Sequence, residues 1–179
     1  MIRVLNLVME GTMEKGQVKI FLNSSKTNLI LEPVPSQKDY YSFIKEEVGK
    51  ELKQISLPSS VLLDVLNYFF VKRKGIVTRI ELLQDDDEYQ ETIDNLISQT
   101  QDNRDCFVYL WEELTSSFRE GSIEIKRIDL KMRKANYELA NISLSINGLI
   151  NYKGNKAFVN EVLKELVIVL WKKMRDWII

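Results

Sequence analysis

Residues 122–155 read SIEIKRIDLKMRKANYELANISLSINGLINYKGN, and this stretch decides the fold. Ile123 and Ile125 alternate with charged residues; Ile128, Leu130 and Met132 then alternate in the opposite phase. Residues two apart share one face of a strand, so both runs predict a half-buried strand. The phase slip at Lys126-Arg127 predicts a β-bulge or bend. After Leu139, the alternation of Ile142, Leu144 and Ile146 predicts a return strand. Asn147-Gly148 fits a tight hairpin turn, because glycine takes positive φ without strain, and a short strand through Tyr152 should follow. Strands joined so closely pair antiparallel.

Working outward, Gly154-Asn155 leads into a closing helix of roughly 22 residues, about 33 Å long. Phe158, Val162, Leu166, Leu170, Met174 and Trp177 form one stripe on it. Val159, Leu163, Val167 and Trp171 form a second, widened by Ile168 and Ile178. This arc exceeds what one sheet face covers. Either the helix is buried between two layers, or Phe158, Val162, Leu166, Leu170, Trp171, Met174 and Trp177 also dock on a partner or a second copy, where Trp and Met are favoured.

Upstream, Ile2 to Met9 and Gln17 to Leu22 predict a hairpin around Gly11 and Gly16, with Asn28 to Leu31 as a third strand ended by Pro33 and Pro35. Ser36 and Asp39 resemble a capping box before a helix whose apolar face is Tyr40, Phe43, Ile44 and Val48. Pro58 and Ser59 open a second helix, apolar nearly all round through Val71, which predicts deep burial. Lys72-Arg73-Lys74-Gly75 predicts its end, with Gly75 in the left-handed cap. Ile76 to Leu83 predicts a strand with Ile76, Thr78, Ile80 and Leu82 on one face. A helix from Asp85–Asp87 points Tyr89, Ile93, Leu96 and Ile97 inward. A polar break over Ser98–Asp105 then precedes a helix with the core face Phe107, Leu110, Trp111, Leu114 and Phe118. The expected fold is α+β: a mainly antiparallel sheet with helices packed on one face and a long C-terminal helix. One domain is expected over 1–179, the best candidate boundary being Gln84–Asp85.

The chain has 179 residues, 45% hydrophobic, enough for one globular core. It has no histidine and one cysteine, which excludes Ser-His and Cys-His catalytic pairs, histidine proton shuttles and His-assisted zinc sites. A lone Cys106 fits a reducing compartment, and with no secretory signal pattern the expected location is the cytoplasm. The longest apolar run, Leu166 to Trp171, falls far short of the roughly 20 residues of a membrane span, so no membrane partner is expected.

The net charge of −1 conceals an uneven distribution. Residues 81–120 hold twelve acids against Arg104 and Arg119, while residues 71–80 hold Lys72, Arg73, Lys74 and Arg79 with no acid. Asp85, Asp86, Asp87 and Glu88 form the densest acidic patch. Carboxylates this close suit Mg²⁺ or Ca²⁺, but they also suit a helix N-terminus, where free N–H groups and the macrodipole favour them; the second reading is preferred. Glu124-Ile125-Lys126 resembles the E-x-K element of restriction-type nucleases, in which carboxylates hold a metal and the lysine steadies the attacking water; that resemblance covers three residues, and a partner acid on a preceding strand is not evident. Lys126, Arg127, Lys131, Arg133 and Lys134 form a basic ribbon that suits a phosphate backbone, or else acids of the 81–120 segment in the same molecule. Glycine-rich phosphate loops are missing: five residues separate Gly148 from Gly154, where the P-loop needs four.

These readings lead to a non-enzymatic cytoplasmic interaction protein, an adaptor, regulator or subunit that binds a protein or itself through the closing helix and the acidic segment. No cofactor or metal is expected. The alternative is nucleic-acid binding through Lys72, Arg73, Lys74, Arg79, Lys126, Arg127, Lys131, Arg133 and Lys134. A metal-dependent nuclease using Glu124 and Lys126 is third.

Overall fold

The structure, a computed structural model, describes residues 13–135 and 138–178, with side chains through Arg175. The expected strand Ile2–Met9 and the side chains of Trp177 and Ile178 lie outside the described residues.

Among the described residues seven strands form one antiparallel sheet: β1 (Met13–Leu22), β2 (Leu29–Pro33), β3 (Lys53–Gln54), β4 (Ile76–Leu82), β5 (Ile125–Arg133), β6 (Leu139–Ser145) and β7 (Leu149–Asn155). Their order is β2-β1-β7-β6-β5-β4, with β3 added beside β1. The meander read from 122–155 supplies β5, β6 and β7, and Gly148 makes its tight turn at φ +74°. β1 then pairs with β7 along its length, from Met13 opposite Asn155 to Lys19 opposite Leu149.

Among the described residues five α-helices complete the fold: α1 (Tyr40–Gly49), α2 (Ser59–Arg73), α3 (Asp87–Asp102), α4 (Phe107–Arg119) and α5 (Lys156–Ile178). The expected arrangement is observed: an antiparallel sheet, a helical layer on one face, and a long C-terminal helix. Alternation explains it. Ile128, Leu130, Met132, Ala140, Ile142, Leu144 and Ile150 share one sheet face and join α2, α4 and α5 in a single core. Leu62, Val65, Leu66, Leu110 and Leu114 have no exposed surface within it. The short α1 stands apart from this layer. Its Phe43 meets Phe21 edge to face, with centroids 6.1 Å apart, on the side of β1 opposite the core.

Several local expectations shift by a residue. The cap of α1 is Asp39, whose carboxylate accepts from the Ser42 amide at 2.9 Å; Ser36 takes no part. At the end of α2 the left-handed residue is Lys74, at φ 52°, and not Gly75. Gly75 is needed for room, since a Cβ there would lie 3.1 Å from the Phe69 carbonyl oxygen that its own amide bonds. The polar break expected over Ser98–Asp105 is shorter: α3 runs on to Asp102, and one 3-10 turn joins it to α4. The strand phase of β4 is also broken. Val77, Ile80 and Leu82 are buried while Thr78 is exposed, because the register with β5 slips between Val77 and Arg79. A second slip, between Glu81 and Leu82, leaves Lys126 as the extra residue, where the sequence phase predicted it.

α3 lies along β4, the outermost strand. Its Gln90 amide donates to Ile80 O at 2.8 Å and accepts from Leu82 N–H at 3.1 Å. Gln101 donates to Val77 O at 2.9 Å. These side chains satisfy backbone groups for which, among the described residues, the sheet provides no further strand.

Candidate functional site

The closing helix comes first, since its apolar arc was the expected docking surface. Phe158, Val159, Val162, Leu163, Leu166, Val167, Leu170 and Met174 are all buried in the core of this same molecule, and Trp171 is packed against it. Among the described side chains of the two stripes, packing on α2, β6 and β7 accounts for the burial, and Ile168, 42% exposed, faces out. The helix is wide because it faces both a sheet and a neighbouring helix.

The acidic patch is exposed. Asp85, Asp86, Asp87 and Glu88 flank the start of α3, where Asp86 caps the helix by accepting from Tyr89 N–H at 2.9 Å. Among the described residues no three His, Cys, Asp or Glu side chains gather as a metal site. Glu124 is exposed just before β5, and Lys126 lies 2.6 Å from Glu81, so the E-x-K residues do not converge on a shared group.

The nine expected basic residues separate into two sets. Arg73 is held by Glu161 and Glu165, both at 2.6 Å. Lys134 bonds to Glu161, whose carboxyl is held below the usual range by Lys134 and then Arg73. Lys126 and Arg127 both meet Glu81, whose carboxyl is lowered first by the Lys126 hydrogen bond, and Arg127 also lies 3.0 Å from Asp129. Of the acidic 81–120 segment, Glu81 is the one residue in these pairs. Lys72 and Lys74 are exposed at the end of α2. Lys131, Arg133 and Arg79 remain, and register places them on the sheet face opposite the core.

That face is the site which the sequence only half revealed. Lys15 lies opposite Lys153, Lys153 opposite Asn141, and Asn141 opposite Lys131. At strand spacing this row across β1, β7, β6 and β5 spans about 14 Å. One step along, Gln17 lies opposite Asn151, Asn151 opposite Ser143, Ser143 opposite Asp129 and Asp129 opposite Arg79. In the other direction Arg133 flanks the lysine row. Lys15, Lys131, Lys153 and Arg133 have no acidic partner within ion-pair distance among the described residues. A cleft of about 490 Å³ opens here, lined by Lys15, Gln17, Asn141, Ser143, Asn151 and Lys153, with Val34 and Ser36 at its rim. Gln17 donates to the Asn151 amide oxygen.

Lys15 and Lys153 were missed because 138 positions separate them in the chain and only the β1–β7 pairing joins them. The available signal was the polar phase of each strand: Lys15 and Gln17 alternate with Gly16 and Val18, as Asn151 and Lys153 alternate with Ile150 and Gly154.

No helix among the described residues is long and apolar enough to cross a membrane. Compared with known proteins, the chain matches no family model, no curated protein and no solved structure.

Proposed function

We propose that the protein is a non-enzymatic binding module whose binding surface is the open face of the sheet, and that its ligand is a nucleic acid held by its phosphates. One observation carries this reading: Lys15, Lys131, Lys153 and Arg133 share a polar sheet face, and among the described residues none of the four has an acid within ion-pair distance. Clustered like charges repel; a phosphate backbone neutralises them, and the nucleic acid releases condensed counterions as it binds. The reading keeps Lys131, Arg133 and Arg79 from the sequence-based ribbon and replaces the internally paired members with Lys15 and Lys153. A protein partner on the closing helix has less support, because the stripe meant to carry it lies in the core. Of the acids of α3, Asp94 lines a pocket with Arg79 at the β4 margin, while among the described residues no acid lines the cleft that holds Lys15 and Lys153.

The test is fluorescence anisotropy of labelled oligonucleotides against the whole protein. With about three phosphate contacts, affinity should fall roughly 20-fold for a single strand, and about 40-fold for a duplex, between 50 and 200 mM salt. Lys131→Glu combined with Lys153→Glu should weaken binding at least tenfold at 50 mM salt. Lys164→Glu, on the exposed side of α5, changes net charge without touching the face and should have little effect. If no nucleic acid binds at 50 mM salt, or the double variant binds as well as the native protein, the proposal fails.

A further inference from the structure

Resting on that reading, we infer that the nucleic acid is single-stranded and that one of its bases enters the cleft between β1, β7 and β6. The lysine row and the amide row lie two residues apart along the strands, about 7 Å. A nucleotide presents its phosphate and its base edge side by side in the same way. Asn141 and Ser143 are half-buried, and among the described residues neither side chain is held in a hydrogen bond. An amide carries donors and an acceptor in one plane, the pattern that pairs with a base edge. The cleft, about 490 Å³, has the capacity of a small-ligand site. In a duplex the pairing edges are turned inward, and only an unpaired base can be splayed into such a cleft. The face has few aromatic side chains to stack on, so hydrogen bonding to the base distinguishes this site from a stacking platform.

The arrangement divides the work between the cationic and the neutral side chains of the two rows. Lys15, Lys153 and Lys131 set affinity and its salt dependence; Asn141 and Ser143, with the Gln17–Asn151 pair beside them, set which base is accepted. The experiment titrates the whole protein with labelled single-stranded ten-mers of each base composition, and with the matching duplexes, at 50 mM salt. Single strands should bind at least tenfold tighter than duplexes, with one base preferred severalfold. Asn141→Leu and Ser143→Ala, each checked by circular dichroism for an unchanged fold, should cost about tenfold for the preferred strand, abolish the preference and leave the salt slope unaltered. Lys131→Glu should instead reduce that slope. Equal binding of single strands and duplexes, or native base preference in Asn141→Leu, overturns the base-in-cleft inference while leaving phosphate binding standing. Absence of binding to every oligonucleotide overturns the reading beneath it.

Discussion

Lys19 lies on β1 with none of its surface exposed, and its ammonium donates to the Asn147 carbonyl in the β6–β7 turn. Its amine stands 5.9 Å from the centre of the Phe21 ring. Its cross-strand neighbour is Glu32, yet no ion pair forms between them. Burial pulls its pKa from 10.5 down to about 8. The consequence for stability has a definite sign. Below pH 8 the amine is charged in both folded and unfolded chains, and folding bears its desolvation. Between about pH 8 and 10.5 the unfolded chain holds a proton that the folded chain has released, so this residue's contribution to stability rises with pH. The full rise is about 3 kcal/mol. In urea denaturation, Lys19→Met should be more stable than the native protein near pH 7, and the difference should shrink towards pH 10.5. A constant difference across that range would show that the amine is not what titrates.

At the scale of elements, α5 is the clearest case of sequence and structure agreeing on position but not on purpose. Its stripes were legible from spacing alone. That they lie in the core was not, because an apolar arc looks the same whether it meets a sheet and a neighbouring helix or a separate molecule. Leu166, 1% exposed, and Ile168, 42% exposed, separate the two situations. Leu166→Ala should cost about 2–5 kcal/mol of folding free energy by opening a cavity. Ile168→Ala should cost less than about 0.5 kcal/mol. Comparable losses in chemical denaturation would mean that α5 is packed differently. The bulges show the same limit. The one at Lys126 was legible because Ile125 and Ile128 break the apolar phase. The one at Thr78 was not, because Ile76, Thr78 and Ile80 imitate regular alternation, and only pairing with β5 reveals the extra residue.

Across the whole molecule, the acids of α3 are exposed along the β4 margin, with Asp94 beside Arg79, while Lys15, Lys153 and Lys131 lie in one row on the sheet face opposite the core. The fold class was readable because a local meander supplies three neighbouring strands. The site was not, because half of it arrives on β1 from the far end of the chain, through a long-range pairing that local patterns do not encode. The glutamines of α3 have a consequence at this scale too. A sheet with a bare margin is a template for joining another molecule strand to strand, which is how folded proteins begin to aggregate. Gln90 and Gln101 occupy backbone groups of β4 that such a strand would need. At the other margin β2 is five residues long and ends at Pro33, which has no N–H to offer. Gln90→Ala combined with Gln101→Ala should leave the circular dichroism spectrum unchanged while light scattering grows faster on concentration. Unaltered scattering would mean that the backbone of α3 alone is a sufficient screen. The two amides thus occupy the margin along which strand-to-strand growth would start, while the broad face of the sheet stays open.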